Sequence, residues 1–504
     1  MNTQSHSSLA LFSPEEMAEA DRLTIAAGTP GYTLMTRAGE GIANVIQEMF
    51  PDAQKIGIYC GPGNNGGDGF VVAQLLKDAG RRVRLALLGE AGTLKGDAAL
   101  AMADWQGETE SLAAMQGDHF DLIVDALFGA GLSRDLSDTA ADLVRQINAR
   151  TCRVLSVDLP SGIDGRTGQV RGVAIRADAS VTFHRKKPGH VLHPGRSHCG
   201  SIRVVDIGIN EDAQTSLNIR LFENQPALWA AEFPKADAGQ HKYTRGHAIV
   251  LSGPELATGA ARLTAQAALR VGAGLVSLAG EASALRIHAA HLTAIMLKSV
   301  ESPDDLSRLL SGQRIGAIAL GPGFGVTEDK GKLLDACIAS DKPLVLDADA
   351  LTLLSNDTSN RLDVLAGRTT PCVLTPHEGE FKRLFPDLSE IDSKVDKARQ
   401  AAVRAHAICV LKGPDTVIAA PDGRAAINTN APPWLATAGS GDTLAGIITG
   451  LIAQTMPAFE AACAGVWLHG EAANRLGRGM TADDLDDGLF DVMRSEAWRA
   501  SPND

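Results

Sequence analysis

Along most of the chain, short uninterrupted apolar runs alternate with longer stretches in which apolar positions recur every three or four residues. The first pattern suits a strand buried on both faces of a parallel sheet, and the second a helix that covers it. KIGIYC (Lys55–Cys60), VRLALLG (Val83–Gly89), DLIVDALFG (Asp121–Gly129) and RVLSVDLPSG (Arg153–Gly162) read as such strands, separated by helical segments such as GFVVAQLLKDAG and SDTAADLVRQINAR. This rhythm predicts a doubly wound α/β domain with functional residues at the carboxyl ends of the strands.

The rhythm breaks between about Asn210 and Gly246. There EDAQTSLNIRLFENQPALWAAEF is mixed and irregular, and KADAGQHKYTRG is polar and turn-rich, so the chain is expected to divide into domains over 1–218 and 224–504. A second α/β series follows. HAIVLSG, GLVSLAG, IGAIALGPG, PLVLDADAL, CVLTPHEGE and CVLKGPD read as strands running into loops, and TVIAAPDGRAAIN as a hairpin turning at Pro-Asp-Gly. Asp442 through Gln454 reads as a long apolar helix.

Composition narrows the partners. The 504 residues carry a formal net charge of -13 and only 4% aromatics, with no basic patch, which argues against nucleic acid. No apolar run approaches the ~20 residues of a membrane span. MNTQSHSSLA lacks a basic region, so no secretion signal is expected. Seven scattered cysteines with no C-x-x-C pair predict reduced thiols in a cytoplasmic protein.

Two glycine-rich segments carry the chemistry. In GPGNNGGDG, Gly61, Gly63 and Gly66 fit G-x-G-x-x-G between a strand and a helix, a pattern shared by dinucleotide sites and plain tight turns. The asparagines and Asp68 add side-chain oxygens that a turn does not need. Asp125 and Asp158 end neighbouring strands; with Asn65 and Ser161 they offer hard oxygens for a cation, or an acid/base carboxylate beside one. Each aspartate alone would also suit a helix cap. In the second half, Gly439-Ser440-Gly441-Asp442 opens the apolar helix and offers backbone N–H groups to a phosphate. Lys412-Gly413-Pro414-Asp415-Thr416 and Pro376-His377-Glu378-Gly379-Glu380 follow other strands and add a cation, a hydroxyl and an imidazole. His184, His190, His193, His198 and Cys199 match no standard zinc spacing, and the loop that holds them reads as a polar ligand loop with Lys187 near a phosphate.

GPGNNGGDG, VDALFG and DLPSGIDGRTG resemble the N-terminal domain of the NAD(P)H-hydrate epimerases, as do the flanking MAEADRLTIAAGTPGYTLMTRAG and KKPGH…PGRSHCGSIRVVDIGI. The resemblance implies a Rossmann-like domain, potassium held by Asn65, Asp125 and Ser161, and a hydrate site lined by Asn64, Asn65, Gly66, Gly67, Asp68, Gly129, Ala130, Gly131, Leu132, Ser133, Arg134, Asp135 and Asp158. Inverting the carbinolamine carbon of a hydrated nicotinamide needs ring opening or loss and return of water, and Asp158 is the expected acid/base.

The second half, from about His241, resembles the ADP/ATP-dependent NAD(P)H-hydrate dehydratases, which have the ribokinase-like fold, through GAARLTAQAALRVGAGLV, GPGFG, LDADAL, LTPHEGEF, LKGPDTVI and NAPPWLATAGSGDTLAGIITGL. Ser252-Gly253-Pro254 and Ala438 depart from the usual pattern. The resemblance implies hydrate contacts from Ala260, Gly323, His377 and Asp442, and nucleotide contacts from Lys412, Gly413, Pro414, Asp415, Thr416 and Gly441, with magnesium on the phosphates. Asp442 is then the base on the ring hydroxyl. The combined expectation is a cytoplasmic, homo-oligomeric enzyme that interconverts the R and S hydrates of NADH and NADPH and dehydrates the S form with ADP, giving AMP and phosphate. Two other readings stay open: a ribokinase-like kinase for a vitamin-type alcohol, and a non-catalytic NAD-metabolite binding protein.

Overall fold

The computed structural model describes residues 8–210, 216–235, 239, 241–312, 315–356 and 360–496. Residues 1–7 and 211–215, part of the expected leaderless N-terminus and of the expected boundary segment, lie outside the described residues. The chain forms two compact units, Ala10–Ile219 and Arg220–Asp504, and Leu9 belongs with the latter. The Leu9 carbonyl accepts a hydrogen bond from the Glu223 amide.

The N-terminal unit holds β1 (Lys55–Cys60), β2 (Arg82–Leu87), β3 (Thr109–Glu110), β4 (Leu122–Ala126), β5 (Arg153–Val157), β6 (Ala179–Phe183) and β7 (Ser201–Val205). They form one seven-stranded sheet in the order β3-β2-β1-β4-β5-β6-β7. Every pairing is parallel. The chain winds outward from β1 to β3 and then restarts at β4 on the other side of β1. The crevice between β1 and β4 is therefore the switch point at which such sheets bind ligands. GPGNNGGDG follows β1 and VDALFG spans the end of β4, so both motifs meet there.

Local sterics explain the glycines of the first motif. A Cβ on Gly61 would lie 1.7 Å from the Leu127 carbonyl oxygen, and one on Gly66 would lie 1.9 Å from the Gly61 carbonyl oxygen. The helix also begins earlier than the hydrophobic pattern implied, at Asn64 rather than after the motif. Asn64 to Asp68 thus open the helix, and the amides of Asn64, Asn65 and Gly66 precede its first i→i−4 bond, which Gly67 makes to Gly63.

The C-terminal unit holds β8 (Leu221–Asn224), β9 (His247–Leu251), β10 (Leu275–Gly280), β11 (Met296–Ser299), β12 (Ile315–Leu320), β13 (Leu344–Leu346), β14 (Cys372–Leu374), β15 (Ile408–Leu411), β16 (Val417–Ala419) and β17 (Ala425–Asn428). The ten-stranded order is β11-β10-β9-β12-β13-β14-β15-β16-β17-β8, with a switch between β9 and β12. Only β15–β16 and β16–β17 run antiparallel, the second of these being the expected Pro-Asp-Gly hairpin. The segment read as irregular contains β8, which pairs in parallel with β17 and so completes this sheet. Its four residues, two half-buried between two buried ends, are too few and too irregular to register as a period.

PLVLDADAL is strand only to Leu346; Ala348–Ser355 is helix. The apolar helix spans Ser440–Ala453 and is buried from Thr443 to its end. It lies tightly on the helix Thr258–Arg270, because Gly446 and Gly450 leave no side chain between them: a Cβ there would lie 2.2 Å from the Thr264 oxygen and 2.5 Å from the Ala268 oxygen. All seven cysteines are free, and only Cys152 is not buried.

Candidate active sites

The β1/β4 switch opens onto a cavity of about 540 Å³. Asn64, Asn65, Asp68, the run Gly129–Arg134 and Asp158 line it as expected, whereas Gly66, Gly67 and Asp135 do not. Asp125 and Ser161 lie fully buried and outside the cavity wall.

Asp158 follows β5 with a left-handed φ of +62°, a conformation that aspartate tolerates but that still stores strain. Its Oδ1 accepts from Lys187 Nζ and from Thr182 Oγ1, each at 2.8 Å. Its Oδ2 accepts from the Ala130 amide at 2.9 Å, which ties the loop after β4 to the end of β5. Burial pushes the Asp158 carboxyl upward, but the Lys187 ammonium and these donors outweigh it and bring it down to about 2. Lys187 is 2% exposed and points inward. It is therefore the counter-ion of Asp158, and it lines the cavity in which a ligand would sit.

His190 supports the pair. Its Nδ1 accepts from the Lys187 amide, so its Nε2 carries the proton and donates to the Asp158 carbonyl at 2.8 Å. Burial holds this imidazole at about 4, neutral at physiological pH. The neighbouring histidines are likewise absorbed by the loop: His193 bonds Ser197, and His198 bonds the Ile175 carbonyl.

Two more carboxyls face the same cavity. Burial first, and then the charges of Asp158 and Asp21, hold Asp68 well above the usual carboxylate range. Burial raises Asp21 to about 6, with Lys187 opposing and Asp158 assisting. Asp21 lies within the segment MAEADRLTIAAGTPGYTLMTRAG, but a carboxylate on an amphipathic helix gave no sign of its own that it faces a site.

Beneath the cavity, Asp125 accepts from Ser156 Oγ, the Ser161 amide and Ser161 Oγ, the last at 2.6 Å. Ser161 Oγ also sits 3.1 Å from the Phe128 carbonyl oxygen. Burial raises the Asp125 carboxyl even against these donors. Asn65 Nδ2 is buried with no hydrogen-bond partner.

In the C-terminal unit the strand ends around the β9/β12 switch converge similarly. A Cβ on Gly253 would lie 1.7 Å from the Gly323 oxygen, and one on Gly323 would lie 3.3 Å from the Ala260 Cβ. Ala260 and Gly323 are therefore neighbours at the switch. Lys412, after β15, pairs with Asp347 Oδ1 at 2.7 Å and lies 4.0 Å from Glu380. The helix Ser440–Ala453 starts against this pair: a Cβ on Gly441 would stand 3.5 Å from Lys412 Nζ and 3.7 Å from Asp347 Oδ2. Gly439, at φ +87°, makes the turn into the helix. Burial, and then repulsion from Asp347, lift the Asp442 carboxyl to about 6 although Lys412 opposes them.

The other expected contacts divide. His377 caps its own helix, with Nδ1 accepting from the Gly379 and Glu380 amides, and its exposed ring leaves Nε2 3.5 Å from Glu380. Asp415 is buried and bonded to Lys394 at 2.6 Å, and Thr416 Oγ1 bonds back to Gly413. Both shape the loop, while Gly413 and Pro414 are exposed on it. Asp347 and Glu380 were missed as site residues, although LDADAL and PHEGE stood out as strand-end motifs. Among the described residues no group of three His, Cys, Asp or Glu side chains is placed to hold a metal ion.

Comparison with known proteins gives concordant results for the two halves. The family model described as NAD(P)H-hydrate dehydratase matches residues 248–492. The one described as YjeF-related protein N-terminus matches residues 31–189. A bifunctional NAD(P)H-hydrate repair enzyme of Coxiella burnetii is 35% identical over 94% of this chain and 97% of its own. One of Escherichia coli is 34% identical over 92% of this chain and 90% of its own. Among solved structures, an ADP/ATP-dependent NAD(P)H-hydrate dehydratase from Bacillus subtilis, co-crystallised with ATP and Mg2+, is 30% identical over 54% of this chain and 98% of its own, with a TM-score of 0.47.

Proposed function

The chain belongs to the family of bifunctional NAD(P)H-hydrate repair enzymes, and on that premise we propose how its residues divide the work. It epimerises the R and S hydrates of NADH and NADPH, and it dehydrates the S form with ADP to give NAD(P)H, AMP and phosphate. The near full-length match to two-activity relatives sets aside both the kinase for a vitamin-type alcohol and the non-catalytic binding protein.

The N-terminal cavity is the epimerase site. The amides of the first turn from Asn64 and the loop Gly129–Arg134 receive the phosphate-bearing part of the hydrate. The Asp158–Lys187 pair faces the ring and moves the proton. Potassium suits the strand ends beneath, because Asp125 there is a buried carboxylate whose hydrogen-bond donors are all uncharged. Asn65, Asp125 and Ser161 would hold the ion, whose contribution is to neutralise charge and fix the loop after β4.

The C-terminal switch is the dehydratase site. Gly439–Gly441 and the helix behind them stabilise the transferring phosphoryl group, with Lys412 beside them. Asp442, raised into the range of a working base, removes the proton from the ring hydroxyl. Asp347 and Glu380 hold Lys412 in place. Magnesium fits as an ion carried by nucleotide phosphates with few protein ligands, in keeping with the lack of a three-ligand cluster among the described residues.

The single observation that carries the two-site reading is the convergence of both acidic motifs on a switch point, one in each sheet. Seven free cysteines support a cytoplasmic setting, and no described helix is long and apolar enough to cross a membrane. The test mixes the full chain with both NADH hydrates, magnesium, potassium and ADP, and follows recovery of NADH absorbance. Recovery of both epimers is expected. Recovery of the S form alone would remove the epimerase assignment, and accumulation of a phosphorylated hydrate would restore the kinase reading.

A further inference from the structure

We propose that Asp21, on the first helix of the N-terminal unit, transfers a proton to and from the ring hydroxyl of the bound hydrate, opposite the Asp158–Lys187 pair; this rests on the epimerase reading above. The helix Pro14–Ala26 is fixed by a capping box, with Ser13 Oγ accepting from the Glu16 amide and Glu16 accepting from the Ser13 amide. Its buried stripe runs through Met17, Ala20 and Thr24. Asp21 stands one turn beyond Met17, and the two line the epimerase cavity together. Its Oδ1 is buried with no hydrogen-bond partner. An unsatisfied buried oxygen is costly, and a ligand hydroxyl supplies the missing partner.

The charges around Asp21 give it a task distinct from that of Asp158. Lys187, Asp158 and Asp68 act on it from across the cavity, and Arg134 lines the same wall. On its own helix, Glu15 and Glu16 lie in the first turn, and Glu19 is paired with Arg22 on the exposed face. Lys187, the cation that acts on Asp21 most directly, is bonded to Asp158. Three carboxyls thus share one bound ammonium. Asp158 remains ionised, while burial lifts Asp21 to about 6, where it exchanges its proton near neutrality. Paired carboxyls with opposite protonation states are the arrangement that acid/base chemistry requires. Burial, and then the charges of Asp158 and Asp21, raise Asp68 as well.

The step balances within the site. The Asp21 carboxyl gives its proton to the ring hydroxyl, the carbon–oxygen bond breaks, and water departs. The ring nitrogen lone pair becomes the second bond of a carbon–nitrogen double bond. Water then adds to the opposite face, its proton passes to the Asp158 carboxylate as those electrons return to nitrogen, and exchange with solvent restores the proton from Asp158 to Asp21. No oxidant or co-substrate is consumed.

The test uses the full chain bearing Asp21→Asn or Asp21→Glu, without nucleotide, and follows R-to-S conversion of NADH hydrate by chromatography from pH 5 to 8. The wild-type rate should fall as pH rises through about 6, because the protonated carboxyl is the donor. Asp21→Asn should lose on the order of 100-fold in kcat with little change in KM, and that pH limb should vanish. Asp21→Glu should keep the limb at a reduced rate. Dehydration of the S hydrate by Asp21→Asn should match wild type, and an unchanged melting transition of the N-terminal unit shows that the unit carrying Asp21 is folded. A wild-type rate in Asp21→Asn, or a slower rate with the pH limb intact, would overturn the proposal. A wild-type protein that dehydrates the S form yet interconverts nothing would overturn the epimerase reading, and Asp21 with it.

Discussion

Two residues concentrate the chemistry, and each carries a measurable signature. Asp442 must be ionised to act as a base. With its carboxyl raised to about 6, dehydration should fall as pH drops through that value, and Asp442→Asn should lower kcat on the order of 100-fold or more. Steady-state rates on the S hydrate from pH 5 to 8 check both. Asp158 behaves oppositely. Its folded value, about 2, lies below that of an unfolded aspartate, so the stability it contributes is complete above about pH 4 and is lost as pH falls toward 2. Its partner is the more exposing target. Lys187→Met leaves a buried carboxylate uncompensated and should cost the N-terminal unit about 3–5 kcal/mol in thermal or denaturant unfolding. Adding Asp158→Asn should return part of that loss, which a double-mutant cycle reads directly.

At the scale of elements, glycines set how closely helices approach strands and each other. Gly446→Val puts atoms where the Thr264 oxygen already sits, and should separate the helices Thr258–Arg270 and Ser440–Ala453. Dehydration should be lost and epimerisation retained, as assays of each step on the one variant will show. The same elements show what the sequence made legible. The long apolar strands of both sheets and the apolar helix stand out because burial on two faces leaves no polar interruption. The strand-end aspartates stand out because no core requires them. β8 was hidden because four residues are too few to display a period, and its pairing partner, β17, lies some two hundred positions away in sequence. Asp21 was hidden for a related reason: a helix position acquires its meaning only when the fold carries it to a cavity built from distant loops. The ion pair of Lys187 with Asp158 was not legible, since sequence spacing does not reveal which way a lysine points.

For the whole molecule, the division into two units predicts separable failure. Asp158→Asn should leave dehydration of the S hydrate intact, and Asp442→Asn should leave epimerisation intact. Acid should also affect the units differently. His288 and His469 in the C-terminal unit, and His184 and His190 in the N-terminal unit, are all held at about 4 by burial. Each is depressed, so its contribution is complete above an unfolded value of about 6.5 and is lost as pH falls toward 4. The N-terminal unit offsets this loss with three raised carboxyls, Asp21, Asp68 and Asp125, which favour the folded state as pH falls. In the C-terminal unit Asp442 is the one described carboxyl raised in this way. Calorimetry at pH 7 and pH 5 should therefore show the C-terminal unit losing more of its melting temperature.

The buried cysteines bear on how long the molecule lasts under oxidative attack. Burial pushes Cys199, Cys337, Cys372 and Cys409 up to about 12, and Cys60 and Cys463 well above the ordinary thiol range. At neutral pH a thiol at that level is thiolate in only about one molecule in 10⁵, and peroxide attacks the thiolate. Cys152 is partly exposed, although burial raises its thiol as well. Hydrogen peroxide or iodoacetamide applied to the folded protein should therefore mark Cys152 and leave both activities standing. A repair enzyme whose buried thiols are chemically silent keeps salvaging reduced cofactor under oxidative attack.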